Sequence, residues 1–482
     1  MTDLAVATLD PPRPARESRR WHVVLGLVAL GYTGFQLLVT LRIGLGWDES
    51  VYVSQVARGV PPADFSAPRA RGVPLIVAPV AYFTASVTAI RVYLSVLSGA
   101  GLFLAYLPWL RLRNTFAVPL AAGLFATLWT TLFYANEAMP NLYVAYGGVA
   151  ATGLYFLAGR AALAGLGGAF ALISLVRPTD ALWLAAPLAV AALLRRAWSR
   201  AAVLATGLAI GWGAWIVEAY VAYGGPLARL SAAGSINQTG LTFSLLPHLE
   251  ALDGPLLCRF GTICGSPQPA HVIWFAALPV LAAAGVWATR RTDLLMALLC
   301  GLCLAAGYLF TVGYAAPRFL LPAYALLALP AAAALARLAT WRVARPLGAV
   351  AIAAALVAFV VVQAGTFRLR AEATASSRAK DEAVTSWLTA RGLRMPCLVY
   401  GHHAVEIGYL IRCASRGVMT NYGGDKVPLV IEKALRAGAR VVVLVNRKSM
   451  PARYLIGWNK SRIRLPDGHT WYAYQPATGT IK

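Results

Sequence analysis

The sequence from Trp21 to Leu41 reads WHVVLGLVALGYTGFQLLVTL, and shortly afterwards residues 46–52 read GWDESVY. The first stretch has the length of the about 20 mainly apolar residues that a transmembrane helix needs. It follows a polar start with four arginines between residues 13 and 20, and it exceeds the roughly 7–15 residues of a signal-peptide core. We therefore predict a retained first transmembrane helix with a cytoplasmic N-terminus, followed at once by an acidic outer segment.

The composition is that of a membrane protein. Of the 482 residues, 59% are hydrophobic and only 13% are charged, whereas soluble domains are roughly 45–50% apolar. The 43 lysines and arginines outnumber the 19 acidic residues, which gives a net charge of +24. Many of the arginines flank long apolar runs instead of forming one patch, so they indicate membrane topology and exclude nucleic acid as the expected partner.

Further apolar runs bring the predicted number of membrane spans to about eleven. They lie at residues 90–110, 116–134, 141–159, 161–176, 179–194, 201–222, 270–289, 294–313, 319–338 and 347–363. Arginines are concentrated in alternate connections, which the positive-inside rule places in the cytoplasm. The two short runs on either side of Arg177-Pro178-Thr179-Asp180 are expected to be partial crossings that meet at an outer break. The stretch 73–88 contains two prolines and is predicted to be re-entrant or interfacial.

The predicted organisation has three parts. Residues 1–20 form a cytoplasmic tail, residues 21–363 a transmembrane domain, and residues 364–482 a domain outside the membrane. The transmembrane domain carries a first outer loop at 42–89 and a long outer loop at 223–269. In the last part, β-branched runs alternate with segments of helical periodicity. The fold class is therefore a polytopic α-helical membrane protein with a small C-terminal α/β extracytoplasmic domain, and we expect it in a bacterial plasma membrane.

The six cysteines form three close pairs in the sequence, Cys258/Cys264, Cys300/Cys303 and Cys397/Cys413. The first and third pairs are expected outside the membrane, where disulfides persist, and we predict that both are oxidised. The second pair lies in an apolar span without a nearby histidine or acid, so packing is favoured over metal or redox chemistry. The adjacent His402 and His403 are interpreted as a surface turn, because the sequence shows no third metal ligand for them.

The acidic motif after the first span is the main candidate for chemistry. Asp48 and Glu49 stand together at this point of a chain in which acids are scarce. One interpretation is structural: Asp48 caps a short helix and Glu49 is an acid of its first turn. Helical spacing places Glu49 and Tyr52 on one stripe, with the helix along the membrane surface. Capping and catalysis are compatible, so both interpretations stay open.

The sequence here resembles the GT-C superfamily of membrane glycosyltransferases, particularly the branch with protein mannosyltransferases and lipid A aminoarabinose transferases. The resemblance covers roughly residues 20–350 and rests on four motifs: Asp48-Glu49-x-x-Tyr52, Arg71-Gly-Val-Pro74 before a span led by Arg91, Arg177-Pro178-Thr179, and the corner Asn136-Glu137. Many relatives have a Lys-Pro-Pro-like segment where this chain has Arg71-Gly-Val-Pro74. The resemblance implies transfer of a sugar from a polyprenyl-phosphate donor in the lipid bilayer to an extracytoplasmic glycan, lipid or protein acceptor.

Sugar transfer of this kind needs a base for the acceptor hydroxyl. Asp48 is the predicted base, because a carboxylate aimed at a hydroxyl assists its attack on the anomeric carbon. Glu49 and Glu137 are expected to orient Asp48 or to hold acceptor hydroxyls. A divalent cation shared by the three acids is an open alternative, although we assign no metal site.

The reaction also needs cations that hold the leaving phosphate. Arg318 and Arg177 are the predicted phosphate ligands, because a guanidinium offers paired donors and keeps its charge. The alternative is an arginine that snorkels from a helix end to the head groups. Tyr52 and Arg71 are expected to contact substrate, since they belong to the motifs of the resemblance. A lipid or glycan transporter and a catalytically silent relative stay open as other functions, although no internal repeat supports a transporter.

Overall fold

The computed structural model describes residues 15–259, 264–339, 345–418, 424–446 and 451–477. The helices are α1 (Ala15–Val39), α2 (Trp47–Ser54), α3 (Gly72–Ala81), α4 (Val87–Leu112), α5 (Ala117–Ala126), α6 (Trp129–Tyr134), α7 (Pro140–Phe156), α8 (Arg160–Val176), α9 (Pro178–Leu194), α10 (Trp198–Ala222), α11 (Pro226–Asn237), α12 (Leu245–Glu250), α13 (Pro269–Thr289), α14 (Thr292–Thr311), α15 (Leu321–Ala339), α16 (Arg345–Ala390), α17 (Ala404–Ile411) and α18 (Leu429–Arg436). Short 3-10 helices occupy Pro317–Leu320 and Arg453–Leu455. The strands are β1 (Cys258–Arg259), β2 (Tyr314–Ala315), β3 (Cys397–Gly401), β4 (Ala414–Gly417), β5 (Arg440–Asn446), β6 (Asn459–Arg464) and β7 (Thr470–Gln475).

Within these residues, seven helical segments are long and apolar enough to cross a membrane: Arg19–Val39, Val87–Leu112, Trp198–Ala222, Pro269–Thr289, Thr292–Thr311, Pro317–Ala339 and Gly348–Ala390. Helices α3, α5, α8 and α9 are apolar but have only 10 to 17 residues. The predicted fold class, a helical polytopic membrane protein with a small C-terminal domain that contains a β-sheet, is confirmed. The number of about eleven spans stays a prediction, because helices of this length reach only part of the way across a bilayer of ordinary thickness.

Helix α15 is the centre of the transmembrane domain. Nearly all of its residues are buried, and it packs against α5, α7, α13 and α14. Gly285 allows the close approach of α13, because a Cβ at this position would collide with the carbonyl oxygen of Pro330. Large apolar side chains on the outer helices, such as Leu38 and Val221, are exposed and form the surface for the lipid.

The expected span at 116–134 is interrupted in the structure. Helix α5 ends at Ala126 and α6 begins at Trp129, because Leu128 has an extended backbone with ψ of 135°. The Trp129 N–H donates to Oε1 of Gln363, on α16, at 2.9 Å. The side chain of Gln363 therefore satisfies a backbone donor at the start of α6, where a helix leaves its first N–H groups unpaired.

Helices α8 and α9 meet at Arg177, where the sequence predicts an outer break. Arg177 has φ −156° and ψ 85°, and Pro178 is the first residue of α9. A proline disfavours helical geometry in the residue before it, which explains why the chain breaks here. The Tyr308 hydroxyl, on α14, donates to Oδ2 of Asp180 at 2.6 Å and fixes the start of α9.

The last part of the chain is a five-stranded sheet with the order β4-β3-β5-β7-β6. Strand β3 runs parallel to β4 and β5, whereas β7 runs antiparallel to β5 and β6. Cys397, at the start of β3, forms a disulfide with Cys413, just before β4, with Cα atoms 5.0 Å apart. We call this unit, from β3 onward, the tail domain.

Helix α16 connects the membrane to the tail domain without interruption. It has 46 residues, so the predicted domain boundary between residues 363 and 364 falls inside one helix. Its last turns pack on the sheet through Val384 and Leu388, which share a core with Val399 and Ile407. The chain therefore passes from the membrane into the tail domain along a continuous hydrogen-bonded helix and not through a flexible linker.

Candidate active site

A cavity of about 880 Å³ lies between the first outer loop, the break between α8 and α9, and the tail domain. The charged residues that line it are Asp48, Glu49, Asp64, Arg69, Glu137, Arg177, Arg259, Arg318, Arg378 and Arg416. Arginines thus outnumber acids among the described lining residues by six to four. A concave surface with this balance favours an anionic ligand.

Asp48 lies between two of these arginines. Its Oδ1 accepts a hydrogen bond from Arg69 Nη2 at 2.6 Å, and its Oδ2 accepts one from Arg318 Nη2 at 3.1 Å. The side chain keeps 34% of its surface exposed to the cavity. Burial raises the pKa of Asp48, but the two guanidiniums outweigh this effect and hold the pKa below its ordinary value. The capping interpretation of Asp48 is wrong, because Gly46 occupies the N-cap position of α2.

Glu49 is almost completely buried and its carboxylate is saturated. Its oxygens accept hydrogen bonds from Arg91 Nη1 at 2.6 Å and Nη2 at 2.8 Å, from the Gly46 N–H at 2.9 Å, and from the Ala138 N–H at 2.8 Å. These donors occupy the roughly four lone-pair positions of a carboxylate. Glu49 therefore positions the start of α2 against α4 and the corner before α7, and its catalytic role stays a prediction.

Arg91 completes this buried connection. Besides Glu49 it donates to the backbone oxygens of Ile43, Gly44 and Asn136, at 3.1, 3.0 and 2.6 Å. The fully buried guanidinium of Arg91 thus connects the start of the first outer loop to the corner at Asn136. In the sequence Arg91 appears only as the leading residue of a span.

Glu137 faces the cavity from the turn between α6 and α7. Burial and the neighbouring Glu49 carboxylate raise its pKa to about 8, although Arg91 and Arg378 act in the opposite direction. In the part of the chain that the structure describes, no hydrogen bond to its carboxyl group is found. Glu137 therefore takes up a proton more readily than an ordinary glutamate, and in its protonated form it can donate a hydrogen bond to a ligand.

The three predicted acids do not form a suitable cation site. The oxygens of Asp48 are held by two arginines, and those of Glu49 by Arg91 and two backbone donors. Hard divalent cations require several free oxygen ligands at about 2.0–2.6 Å. We therefore derive no catalytic step through a metal at these residues.

Arg177 and Arg318 are brought together around one aromatic ring. Their guanidinium carbons both lie 5.5 Å from the centre of the Phe319 ring, within cation–π range. Arg177 also pairs with Asp180 at 3.2 Å. With side chains only 24% and 15% exposed, both arginines face an internal cavity, which disfavours the snorkelling alternative.

Arg69, which no motif of the sequence marks, reaches Asp48. Its guanidinium stacks over the Tyr52 ring at 4.9 Å, so Tyr52 supports a cavity arginine. Arg71 instead pairs with Glu218 at 2.6 Å and is not among the residues that line the cavity. Sequence alone does not distinguish two arginines that are two positions apart.

The tail domain supplies one wall of the cavity. Val405, Ser415, Arg416 and Gly417 belong to this wall, and Arg416 forms an ion pair with Asp64 of the first outer loop. Gly417 packs directly on the Trp47 ring, where a Cβ would collide with it. The Tyr409 hydroxyl donates to the carbonyl oxygen of Ala85 at 3.0 Å.

The long outer loop contributes Arg259, which lies in β1 with its guanidinium 5.0 Å from the Tyr314 ring. Strand β1 pairs with β2, next to Arg318 in the chain. A disulfide joins Cys258 and Cys264, so neither sulfur is available to a metal.

The fold, with an acid-bearing helix after the first span, internal arginines and an appended tail domain, is similar to that of solved structures. The structure of ArnT from Cupriavidus metallidurans bound to undecaprenyl phosphate is similar, with a TM-score of 0.67 and 14% identity over 94% of this chain and 98% of that one. AglB, the oligosaccharyltransferase of Archaeoglobus fulgidus, in complex with an inhibitory peptide and a dolichol-phosphate, gives a TM-score of 0.54 and 14% identity over 96% of this chain and 75% of that one. No protein-family model and no curated protein sequence matches the chain. The predicted resemblance to the GT-C superfamily is confirmed at the level of the fold.

Proposed function

We propose that the protein is a GT-C-type membrane glycosyltransferase that moves a sugar from a polyprenyl-phosphate donor to an extracytoplasmic acceptor. The observation that carries this proposal is Asp48, an ionised carboxylate held between Arg69 and Arg318 at a cavity rich in arginine. The undecaprenyl phosphate and dolichol-phosphate in the two similar structures support a lipid-linked donor.

The phosphate of the donor fits the side of the cavity formed by Arg318 and Arg177. Both guanidiniums face the cavity, and their paired donors match phosphate oxygens. A permanent positive charge is favourable here because negative charge on the phosphate increases as the bond to the sugar breaks. Arg259 lines the same cavity and adds to this field.

In the proposed reaction, the acceptor hydroxyl oxygen attacks the anomeric carbon from the face opposite the phosphate. The bond between this carbon and the phosphate oxygen breaks, and polyprenyl phosphate leaves with the electron pair. The hydroxyl proton passes to Asp48, and the configuration of the sugar is inverted. Arg318 and Arg177 stabilise the leaving phosphate.

The contacts of Asp48 suggest how the base is activated. Two guanidiniums lower its pKa and so make it a weak base. A donor phosphate attracts Arg318 and neutralises part of this charge, which raises the proton affinity of Asp48 when the sugar is in place. Proton transfer is thereby linked to donor binding.

The decisive experiment uses the purified full chain in detergent, with a pool of polyprenyl phosphates that carry radiolabelled sugars and an extract of envelope acceptors. We expect label to move covalently to an acceptor while polyprenyl phosphate is released, and Asp48→Asn to prevent both. Movement of the lipid across vesicles without a covalent product would support the transporter alternative and contradict our proposal. Absence of any donor turnover would also contradict it.

We also propose that the N-terminus is cytoplasmic and that the tail domain is outside. The tail domain contacts Asp64 and Ala85 of the first outer loop, so both lie on one side of the membrane. The N-terminal end of α1 carries the arginines that the positive-inside rule places on the other side. A reporter fused after Lys482 should be active only outside, and activity in the cytoplasm would refute this topology.

A further inference from the structure

A cluster of ligand-type side chains that the proposed reaction does not use lies where α16 meets the tail domain. Asp381 lies on α16, His403 directly precedes α17, and Glu406 is in the first turn of α17. His403 Nδ1 is 2.7 Å from Asp381 Oδ1 and 3.9 Å from Glu406 Oε1. One ligand atom from each residue lies within 4.8 Å of the other two.

Two oxygens of this cluster lack partners. Asp381 Oδ2 and Glu406 Oε2 are buried without a hydrogen-bond partner among the described residues, on side chains that are 2% and 5% exposed. A buried carboxylate oxygen without a partner is costly, and native structures satisfy nearly all such atoms with protein, water or an ion. The unpartnered oxygens are therefore a second sign of a ligand, independent of the grouping of the three residues.

The cluster is bordered by two aromatic rings and by one arginine. The His402 ring lies 4.5 Å from the His403 ring, and the Trp471 ring lies 5.2 Å from it. His403 adopts a left-handed backbone with φ 50°, which is uncommon for a residue other than glycine. Arg378 Nη1 pairs with Glu406 Oε1 at 3.5 Å, which leaves the second oxygen of Glu406 available.

We propose that Asp381, His403 and Glu406 bind a divalent transition-metal ion of the zinc class. Imidazole nitrogen and carboxylate oxygen are both ligand types that Zn²⁺ accepts, whereas Mg²⁺ and Ca²⁺ prefer oxygen ligands alone. The ion removes the cost of the two unpartnered oxygens. It also joins α16 to α17, whose residues Val405 and Tyr409 contact the first outer loop or line the cavity.

The site has a structural role at the cavity wall. Arg378 lines the cavity and pairs with Glu406, so the position of Glu406 affects a cavity arginine. A metal that fixes α17 against α16 therefore fixes the wall that the tail domain contributes. This inference does not depend on glycosyl transfer and stands or fails separately from the proposed function.

The test measures binding of Zn²⁺ and Co²⁺ to the purified full chain after removal of metals with a chelator. We expect competition with a chromophoric chelator to show one tight equivalent of Zn²⁺, and Co²⁺ to give visible absorption from a site with a nitrogen ligand. His403→Gln and Asp381→Asn should each weaken binding at least about tenfold, since even outer contacts of a metal site cost about that much. Bound metal should raise the thermal stability of the wild type but not of these variants.

Matched controls come from the same domain. His402→Gln changes the neighbouring histidine, which is outside the cluster, and His469→Gln removes the exposed contact between His469 and Asp467. Both should bind like the wild type. Absence of tight Zn²⁺ binding, or equal Zn²⁺ binding by His403→Gln, would overturn the proposal. The positive charge that compensates the two carboxylates would then be a proton on His403. The metal-free thermal stability of each variant shows whether it is folded.

Discussion

Replacing Asp48 with asparagine separates catalysis from folding at this site. The change keeps the size of the side chain and one acceptor oxygen, but removes a charge that is 34% exposed. The partners Arg69 and Arg318 are only 12% and 15% exposed, but Asp48 itself faces the open cavity and asparagine keeps an acceptor oxygen for one of them, so we expect a smaller loss of stability than the about 3–5 kcal/mol of breaking a fully buried pair. A general base contributes about 10²–10⁴-fold to the rate, which equals about 3–6 kcal/mol at about 1.4 kcal/mol per tenfold. The initial rate of sugar transfer should therefore fall by this factor while the protein stays folded, with a thermal inactivation temperature that falls less than in Glu49→Gln.

Asp64→Asn is the matched control for this experiment. Asp64 also lines the cavity, pairs with an arginine, and is 54% exposed, so the same chemical change occurs at a comparable position. Because Asp64 contacts Arg416 and not the proposed phosphate ligands, we expect its variant to keep most of the rate. A rate for Asp48→Asn within about tenfold of the wild type would refute the assignment of Asp48 as the base.

Three further outcomes follow from the contacts. Arg318→Lys should keep partial activity and Arg318→Ala very little, because lysine keeps the charge but not the paired donors; equal donor dependence of the rate in all three proteins would contradict a phosphate role. Arg69→Met should raise the pKa of the catalytic carboxylate, so that the rate begins to fall at a higher pH on acidification; an unmoved acid limb of the pH–rate profile would count against the ion pair. Glu49→Gln should destabilise the protein by about 3–5 kcal/mol, because it leaves the buried Arg91 without a counter-charge, and wild-type thermal stability in this variant would disprove the positioning role.

The parts of the fold that could be predicted are encoded locally. The apolar run before Leu41 and the acidic start of α2 show their pattern within a few residues. The break before Trp129 could not be predicted, because its partner Gln363 lies 234 residues away in the sequence. The continuity of α16 was missed for a different reason. The sequence becomes polar after Gln363, but it contains no proline or glycine between Gly365 and Gly392 that would end the helix.

The candidate site was predicted in part for similar reasons. Asp48 and Arg318 are rare charged residues at the ends of apolar segments, and such residues are functional candidates in membrane proteins. Arg69 was missed because Arg71 is chemically identical and sits in the more recognisable motif. The partners of His403 were not evident, since Asp381 lies in another helix, 22 residues earlier.

The uninterrupted helix α16 has a mechanical consequence. With 46 residues it is about 69 Å long, roughly twice the hydrocarbon thickness of about 30 Å. A helix whose apolar part does not match the surrounding bilayer tilts, and a rigid helix carries that tilt to Arg378, beside the cavity. The thickness of the bilayer therefore affects the position of Arg378 at the cavity. We expect the transfer rate to differ between vesicles of short-chain and long-chain lipids, and equal rates would show that the helix absorbs the tilt before it reaches Arg378.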